Sequence, residues 1–408
     1  MENQQKMKTS GRFVDVITAV LLAVLVALMA ALCWLVDVPQ NVSYLASSFL
    51  QGKLYFVDTL PSLHDTIFYN GVYFWHQGPL PAVFLMPFVA VAQAVGQFFY
   101  QGYLQIGLVL LTLILIFLST KRLGFSKRDA MSLTLGFFGS SAYLGVAIWP
   151  QYSQFAHVVT VVLYAALVYE YLTKRRYAVM GFLLGLLYLT RATAALAVLF
   201  FIIVCLKTSP AKRKDLTKLL VPLLAAIIVL ALYNYGRFRD PFELGYSHPG
   251  YTDESLGSQL AAARSYGMFG LAHLPGNLYY AFLSGPLPVF KDGVPPVLAF
   301  PYVTANPWGM SIFLTSPYLL LLFWGNYKKW EPQALLITST VIALPLFLYY
   351  GVGFYQFGYR YSLDFFPLLF LLFARIVYDR YRTVPVPLKV LTLFSVVFNV
   401  FLFFTIFR

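Results

Sequence analysis

The sequence predicts an all-α, polytopic transmembrane helical bundle, and three observations predict it. Apolar residues make up 60% of the 408 and charged ones only 11%, where a soluble domain carries about 25% charged. Apolar runs recur from Phe13 to Phe407 with one long interruption, many of them near the ~20 residues that cross a bilayer core. The basic residues behind the net charge of +13 sit in short clusters between those runs and not along a helix face. That reads as topology signalling beside anionic membrane lipid and argues against nucleic acid as a partner. The chain is read as one membrane domain, 1–408, with outer loops at 37–79 and 236–310.

The first run, Val14 to Val36, follows Lys6, Lys8 and Arg12. It is longer than a signal-peptide core and has no small-residue cleavage site before Asp37, so it predicts an uncleaved anchor helix. In the loop beyond it Val42, Leu45, Ala46, Phe49 and Leu50 take the i, i+3, i+4, i+7, i+8 spacing of a helix lying in the interface. Leu80 to Phe98 opens on Gly78-Pro79-Leu80-Pro81 and contains Pro87. Tyr103 to Leu118, Ala130 to Ile148 and Phe155 to Leu172 follow as candidate spans.

Tyr177 to Thr190 and Ala192 to Leu206 could form one long tilted helix, but the Lys207 to Lys218 cluster would then lie outside. Two short helices meeting near Arg191 fit better. The first would be about 21 Å long, short of a hydrocarbon core, so its end lies within the membrane or beside a cavity. Its Gly181-Phe182-Leu183-Leu184-Gly185 is a pattern for close helix packing. Leu219 to Tyr235 precedes the long outer loop, where Leu278 to Leu287 is apolar enough to rest on the membrane and Pro286 to Pro307 should be irregular. The last candidates are Ser311 to Tyr327, Ala334 to Tyr350, Ser362 to Val377 and Leu388 to Ile406. Cys33 and Cys205 lie inside apolar runs and read as packing residues.

If every basic cluster is cytoplasmic, an even number of crossings separates each neighbouring pair. Only the interval from the N-terminus to Lys121 breaks that parity, and Leu80 to Phe98, with its prolines, is the segment expected not to cross fully. About eleven crossings follow, with the N-terminus cytoplasmic and the C-terminus outside.

No P-loop, dinucleotide fingerprint, HExxH or CxxC pair occurs, and Gly351-Val352-Gly353 lacks a third glycine, which argues against soluble nucleotide chemistry. What remains is a set of ionisable residues beside apolar spans, where charge is costly enough to suggest function. The acidic ones are Asp37, Asp58, Asp65, Asp240, Glu243, Asp253, Glu254, Asp292 and Asp364. The cationic or titratable ones are His64, His76, Arg191, Arg237, Arg239, Arg264, Lys291 and Arg360. Singly, each reads as a solvated loop charge or a snorkelling anchor, and only convergence would mark a site.

Four stretches go further: Tyr44-Leu45-Ala46 with Phe49 to Tyr55 after an anchor helix, His76-Gln77-Gly78-Pro79-Leu80, Gly181 to Arg191, and Gly358-Tyr359-Arg360-Tyr361 followed by Asp364 and Pro367. Together with the long late loop they resemble the multispanning, lipid-dependent glycosyltransferases of the GT-C class, the protein-mannosyltransferase-like (glycosyltransferase family 39-like) enzymes. The resemblance implies sugar transfer from a polyprenyl-phosphate donor to a glycan, lipid or protein acceptor on the outer face. It implies phosphate-binding cations at Arg191 and Arg360, with His76 a possible third, and sugar-stacking aromatics at Tyr44 and Tyr361. A carboxylate of the first outer loop would be the general base, Asp65 ahead of Asp37. Those enzymes place an acidic residue three or four positions before the tyrosine matching Tyr44, where this chain has Gln40 and Asn41. Either the base has moved or the chain is a relative without transferase activity. No metal is required where arginines neutralise the leaving phosphate, and a divalent ion stays open. A transporter or flippase of a lipid or polysaccharide precursor, and a non-catalytic protein of envelope assembly, remain alternatives.

Overall fold

The computed structural model describes residues 2–35, 37–248, 250–251, 254–293 and 297–406. Val36, Asp253 and Phe407, all singled out above, lie outside the described residues. Contact clustering divides the chain into two compact units, one of Met1–Leu32, Leu110–Trp149 and Phe269–Arg408, the other of Cys33–Val109 and Pro150–Met268. The division falls within α1 (Glu2–Leu35) and within a later helix, Gln101–Arg122.

The second unit opens with α2 (Asn41–Leu50), the amphipathic helix expected from its spacing. A correction to the all-α expectation follows: Thr66–Tyr69 (β1) and Val72–Trp75 (β2) form an antiparallel hairpin with Thr66 opposite Trp75 and Tyr69 opposite Val72. Asn70 and Gly71 make its turn at φ 50° and 82°, the two-residue geometry that matches strand twist and that Asn-Gly favours. Its inner side packs Ile67 and Phe74 on Phe238. Leu80–Ala94 (α3) is only 15 residues long and keeps Pro87 inside it. The helix Gln101–Arg122 is α4.

In the first unit the expected span Ala130 to Ile148 is two pieces, α5 (Lys127–Gly139) and α6 (Tyr143–Ile148). Two serine hydroxyls make the break. Ser141 Oγ bonds back to the Phe137 carbonyl at 2.6 Å and Ser140 Oγ turns out to Ser395 Oγ at 2.7 Å, so the hydroxyls replace the helix ladder. In the second unit, α7 (Tyr152–Leu172) is buried along nearly all its length.

Two short helices do meet at Arg191: α8 (Tyr177–Thr190), then a 3₁₀ turn at Ala194–Ala197 and α9 (Val198–Thr208). The glycines of α8 act as the pattern implied. A Cβ on Gly181 would lie 2.2 Å from the Leu219 carbonyl oxygen, and one on Gly185 3.0 Å from Ala226 Cβ, so α8 lies backbone to backbone on α10 (Lys212–Phe238). Gly250–Tyr251 (β3) adds to β1, giving strand order β2-β1-β3, and α11 (Glu254–Arg264) follows.

Back in the first unit come α12 (Leu274–Phe282) and a second departure, since Leu287–Phe290 (β4) and Leu298–Thr304 (β5) pair antiparallel where irregular chain was expected. A two-stranded ribbon leaves each strand one unpaired edge, which is where Pro288 and Pro301 are tolerated. The run Ser311 to Tyr327 is also not one helix. It is α13 (Ile312–Thr315) and, past the Ser316-Pro317 break, a 3₁₀ stretch Pro317–Trp324. The chain closes with α14 (Trp330–Leu348), α15 (Phe366–Tyr381) and α16 (Val386–Thr405).

The broken ends of α5 and α13 are satisfied by α16. Asn399 Nδ2 donates to Gly139 and Thr315 carbonyls at 3.1 and 2.8 Å, and Ser395 Oγ to Thr315 at 3.2 Å. At the other end of α16, Lys389 Nζ sits 2.8 Å from Asp15 and 2.8 Å from Asp129. Among the described residues six helices are long and apolar enough to cross a membrane: Gly11–Leu35, α4, α7, α10, α14 and α16, with Leu80–Ala94, Tyr177–Thr190 and Ala194–Thr208 as shorter apolar helices. The chain is a multi-pass membrane protein.

Candidate functional site

The β1–β2 hairpin delivers two of the expected residues to one place. Asp65 and His76 flank the last paired positions, Thr66 and Trp75. Asp65 takes φ 60°, a left-handed conformation that Asp tolerates better than most residues. His76 Nδ1 lies 2.7 Å from the Asp65 carbonyl. A carbonyl only accepts, so Nδ1 carries the proton and Nε2 is left as an acceptor in the neutral ring. The surroundings of the half-buried ring hold its pKa below the usual histidine range, the charges of Arg237 and Arg191 push the same way, and Asp65 opposes them. His64 Nε2 is 3.7 Å from Asp65 Oδ1, and Trp75, 1% exposed, sets its ring 5.4 Å from Tyr152 and 4.9 Å from His76.

Arg191 reaches this place through a glycine. A Cβ on Gly78 would stand 2.0 Å from the Leu189 carbonyl oxygen, so only a residue without a side chain lets the Gln77-Gly78-Pro79 strap lie on the end of α8. Arg191 caps that end in extended conformation and is near enough to act electrostatically on His76. The structure thus sets Asp65 and His76 at the two ends of one hairpin and lays the strap that follows His76 on the end of α8 that Arg191 caps.

Arg237, which the sequence offers as one cation among several, belongs with them. It is 4% exposed in the last turn of α10. Its guanidinium donates to the Trp75 carbonyl and, at 2.6 Å, to Asn234 Oδ1, and stacks over the Tyr233 ring at 4.1 Å. The signal in the sequence was the Tyr233-Asn234 pair within a turn of the arginine, a ring and an acceptor that together make a buried guanidinium tolerable.

The other expected residues gather elsewhere. Tyr44 packs on Phe98 at 5.1 Å, and the carboxylates that help raise its pKa, after burial, are Asp58 and Asp37. Asp37 is exposed just beyond α1. Gln40 and Asn41, where an acid was looked for, are 5% and 0% exposed and serve as donors: Gln40 Nε2 to Val38 O at 2.7 Å, Asn41 Nδ2 to Ser62 O at 3.4 Å. Gln40 Oε1 also accepts from the Gln101 amide at 2.9 Å. A carboxylate could accept but not donate, so these amides tie α2 to its neighbours in a way an acid would not.

Arg360 and Tyr361 belong to the first unit. The Arg360 amide donates to Gln356 Oε1 at 3.2 Å, its Nη1 to the Phe354 carbonyl at 3.3 Å, and its guanidinium lies 5.5 Å from the Tyr361 ring. Among the described residues no three His, Cys, Asp or Glu side chains gather to hold a metal ion.

No protein-family model and no curated protein matches the chain. Among solved structures it is similar to the oligosaccharyltransferase of Archaeoglobus fulgidus. The apo form aligns at 14% identity and TM-score 0.44, over 94% of this chain and 54% of that one. The form tethered by a disulfide to an acceptor peptide containing the NVT sequon aligns at 14% identity and TM-score 0.39, over 95% and 54%. The chain spans about half the length of the structures it matches.

Proposed function

We propose that the chain is a GT-C-like glycosyltransferase that moves a sugar from a polyprenyl-phosphate donor to an acceptor hydroxyl at the non-cytoplasmic face. The observation that carries the reading is the convergence of Asp65, His76 and Arg191, with Arg237 fixing the backbone beneath them. Nucleotide sugars do not reach that side of a membrane, whereas a lipid-linked donor can enter sideways between helices. In this scheme Asp65 takes the proton of the acceptor hydroxyl as its oxygen bonds to the anomeric carbon. The bond from that carbon to phosphate oxygen breaks and its electron pair leaves with polyprenyl phosphate. Arg191 stabilises the charge that develops there. Neutral His76, pinned through Nδ1, presents Nε2 as an acceptor for a sugar or acceptor hydroxyl. On the sequence resemblance alone, Asp37 stays the second candidate for the base, Arg360 a phosphate-binding cation, and Tyr44 and Tyr361 sugar-stacking rings. The proposed topology keeps about eleven crossings, with short and broken helices supplying those beyond the long spans.

The test is to incubate the purified protein in lipid with radiolabelled polyprenyl-phosphate sugars and mixed acceptors. Wild type should transfer label. Asp65→Asn should lose roughly 10²- to 10⁴-fold in turnover while still binding donor, with Asp37→Asn milder. Donor crossing the bilayer unmodified, with no transfer to any acceptor, would replace the enzyme reading by a flippase, and full activity in the double variant would discard both carboxylates.

A further inference from the structure

Among the described residues, the ribbon of β4 and β5 keeps one face largely exposed. Alternation along β5 turns Leu298, Phe300 and Tyr302 outward, at 43%, 66% and 55% exposure, while Pro301 between them is buried. The register shift between Pro288 and Phe290 places Leu287 opposite Thr304 and Phe290 opposite Leu298, so both join that face, at 42% and 38% exposure. A ribbon packed on one side in water would carry polar residues on the other. Here the exposed residues of that face are leucine and aromatic, and Thr304, which shares it, bonds to α16.

Its depth is fixed by α16. Thr304 Oγ1 donates to the Thr405 carbonyl at 3.0 Å, and the Ala305 amide to Thr405 Oγ1 at 2.9 Å. The end of β5 is thereby fastened to the last residue of a 20-residue candidate span, and 20 residues at ~1.5 Å rise place that residue at the edge of a ~30 Å hydrocarbon core. The base of the loop is held as well. The Ser311 amide donates to Ser284 O at 2.8 Å, Ser284 Oγ to Gly309 O at 2.9 Å and Asn306 Nδ2 to Ser284 Oγ at 3.2 Å. Phe401 and Phe404 near the same end of α16 are exposed apolar side chains as well, and exposed Lys291 follows Phe290 directly.

We infer that this face lies in the lipid interface of the leaflet reached by the C-terminal end of α16. Leu287, Phe290, Leu298, Phe300 and Tyr302 enter the boundary between headgroups and acyl chains, and Lys291 stays with the phosphates. Aromatic rings favour that layer and lysine snorkels from it. The ribbon then acts as a second, non-spanning membrane contact that holds β4 and β5 against the bilayer, independently of any transferase activity.

The full-length protein carrying Phe300→Cys, Tyr302→Cys or Lys291→Cys is labelled with a bimane and reconstituted in vesicles of phosphatidylcholine and phosphatidylglycerol. Unsubstituted protein, whose Cys33 and Cys205 are buried, gives the background. Brominated phosphatidylcholine should quench positions 300 and 302 on the order of twofold, and aqueous iodide should quench position 291 instead. Because all three sites are exposed, the labels report on position without disturbing a core. Iodide quenching of 300 and 302 equal to that of 291 overturns the inference. Protection of 300 and 302 from both quenchers, relieved by diluting the protein in lipid, overturns it in favour of a second copy of the chain, and protection that persists on dilution overturns it as well.

Discussion

At the scale of residues, the two arginines beside His76 are expected to separate by experiment. Arg237 is packed between the Tyr233 and Phe238 rings and donates to the Trp75 carbonyl and Asn234 Oδ1, so Arg237→Ala leaves two buried acceptors unpaired at about 1–3 kcal/mol each. It should lower the thermal unfolding midpoint in detergent. Arg191→Ala should instead weaken donor binding by about 2 kcal/mol, near thirtyfold, with little change in the midpoint. Equal donor affinity in the Arg191 variant would reduce that residue to a helix cap. His76 carries a pH dependence. Its pKa is depressed in the fold, so below the ordinary value of 6.5 the unfolded chain binds the proton the folded one refuses. The His76 contribution is therefore complete above that pH and is lost as pH falls beneath it. The unfolding midpoint should drop with falling pH in that window, and His76→Gln should flatten the slope.

At the scale of elements, the glycines of α8 offer the sharpest contrast. Gly181→Ala places a methyl 2.2 Å from a backbone oxygen of α10, which only helix displacement relieves, at about 1–3 kcal/mol. Gly107→Ala in α4 meets nothing within 4 Å and should be neutral or stabilising by up to ~1 kcal/mol. Thermal unfolding of the two side by side checks this, and a tolerated Gly181→Ala would show that α8 and α10 can slide. Element ends at α8, α2 and α16 were legible because amphipathic spacing and glycine pattern are local. The β1–β2 hairpin also has a local signal, Asn70-Gly71 between aromatic and β-branched runs. The break at Ser140 was not legible. Serines are common in membrane helices, and what turns Ser140 out of the helix is Ser395, which follows it by 255 positions.

At the scale of the whole molecule, charge between spans predicts orientation. In intact cells a cysteine placed at Asp65 should react with an impermeant thiol reagent and one at Lys127 should not. Labelling at Lys127 would dismantle the parity count and with it the assignment of Leu80 to Phe98 as a partial crossing. The sequence by itself determined that this is a multi-pass membrane protein and where its apolar segments lie. Transfer of a side chain from water to lipid is a property of that side chain, so it sums along the chain and can be read there. The tertiary structure alone decided that Asp65, His76, Arg191 and Arg237 meet, that Gln40 and Asn41 are structural donors, and that Asp37 and Tyr44 share different company. Those outcomes depend on which segments touch. Residues 65, 76, 191 and 237 come together only because Gly78 has no Cβ to hold the strap off α8 and Arg237 reaches across to Trp75, and such pair contacts leave no periodicity in the sequence.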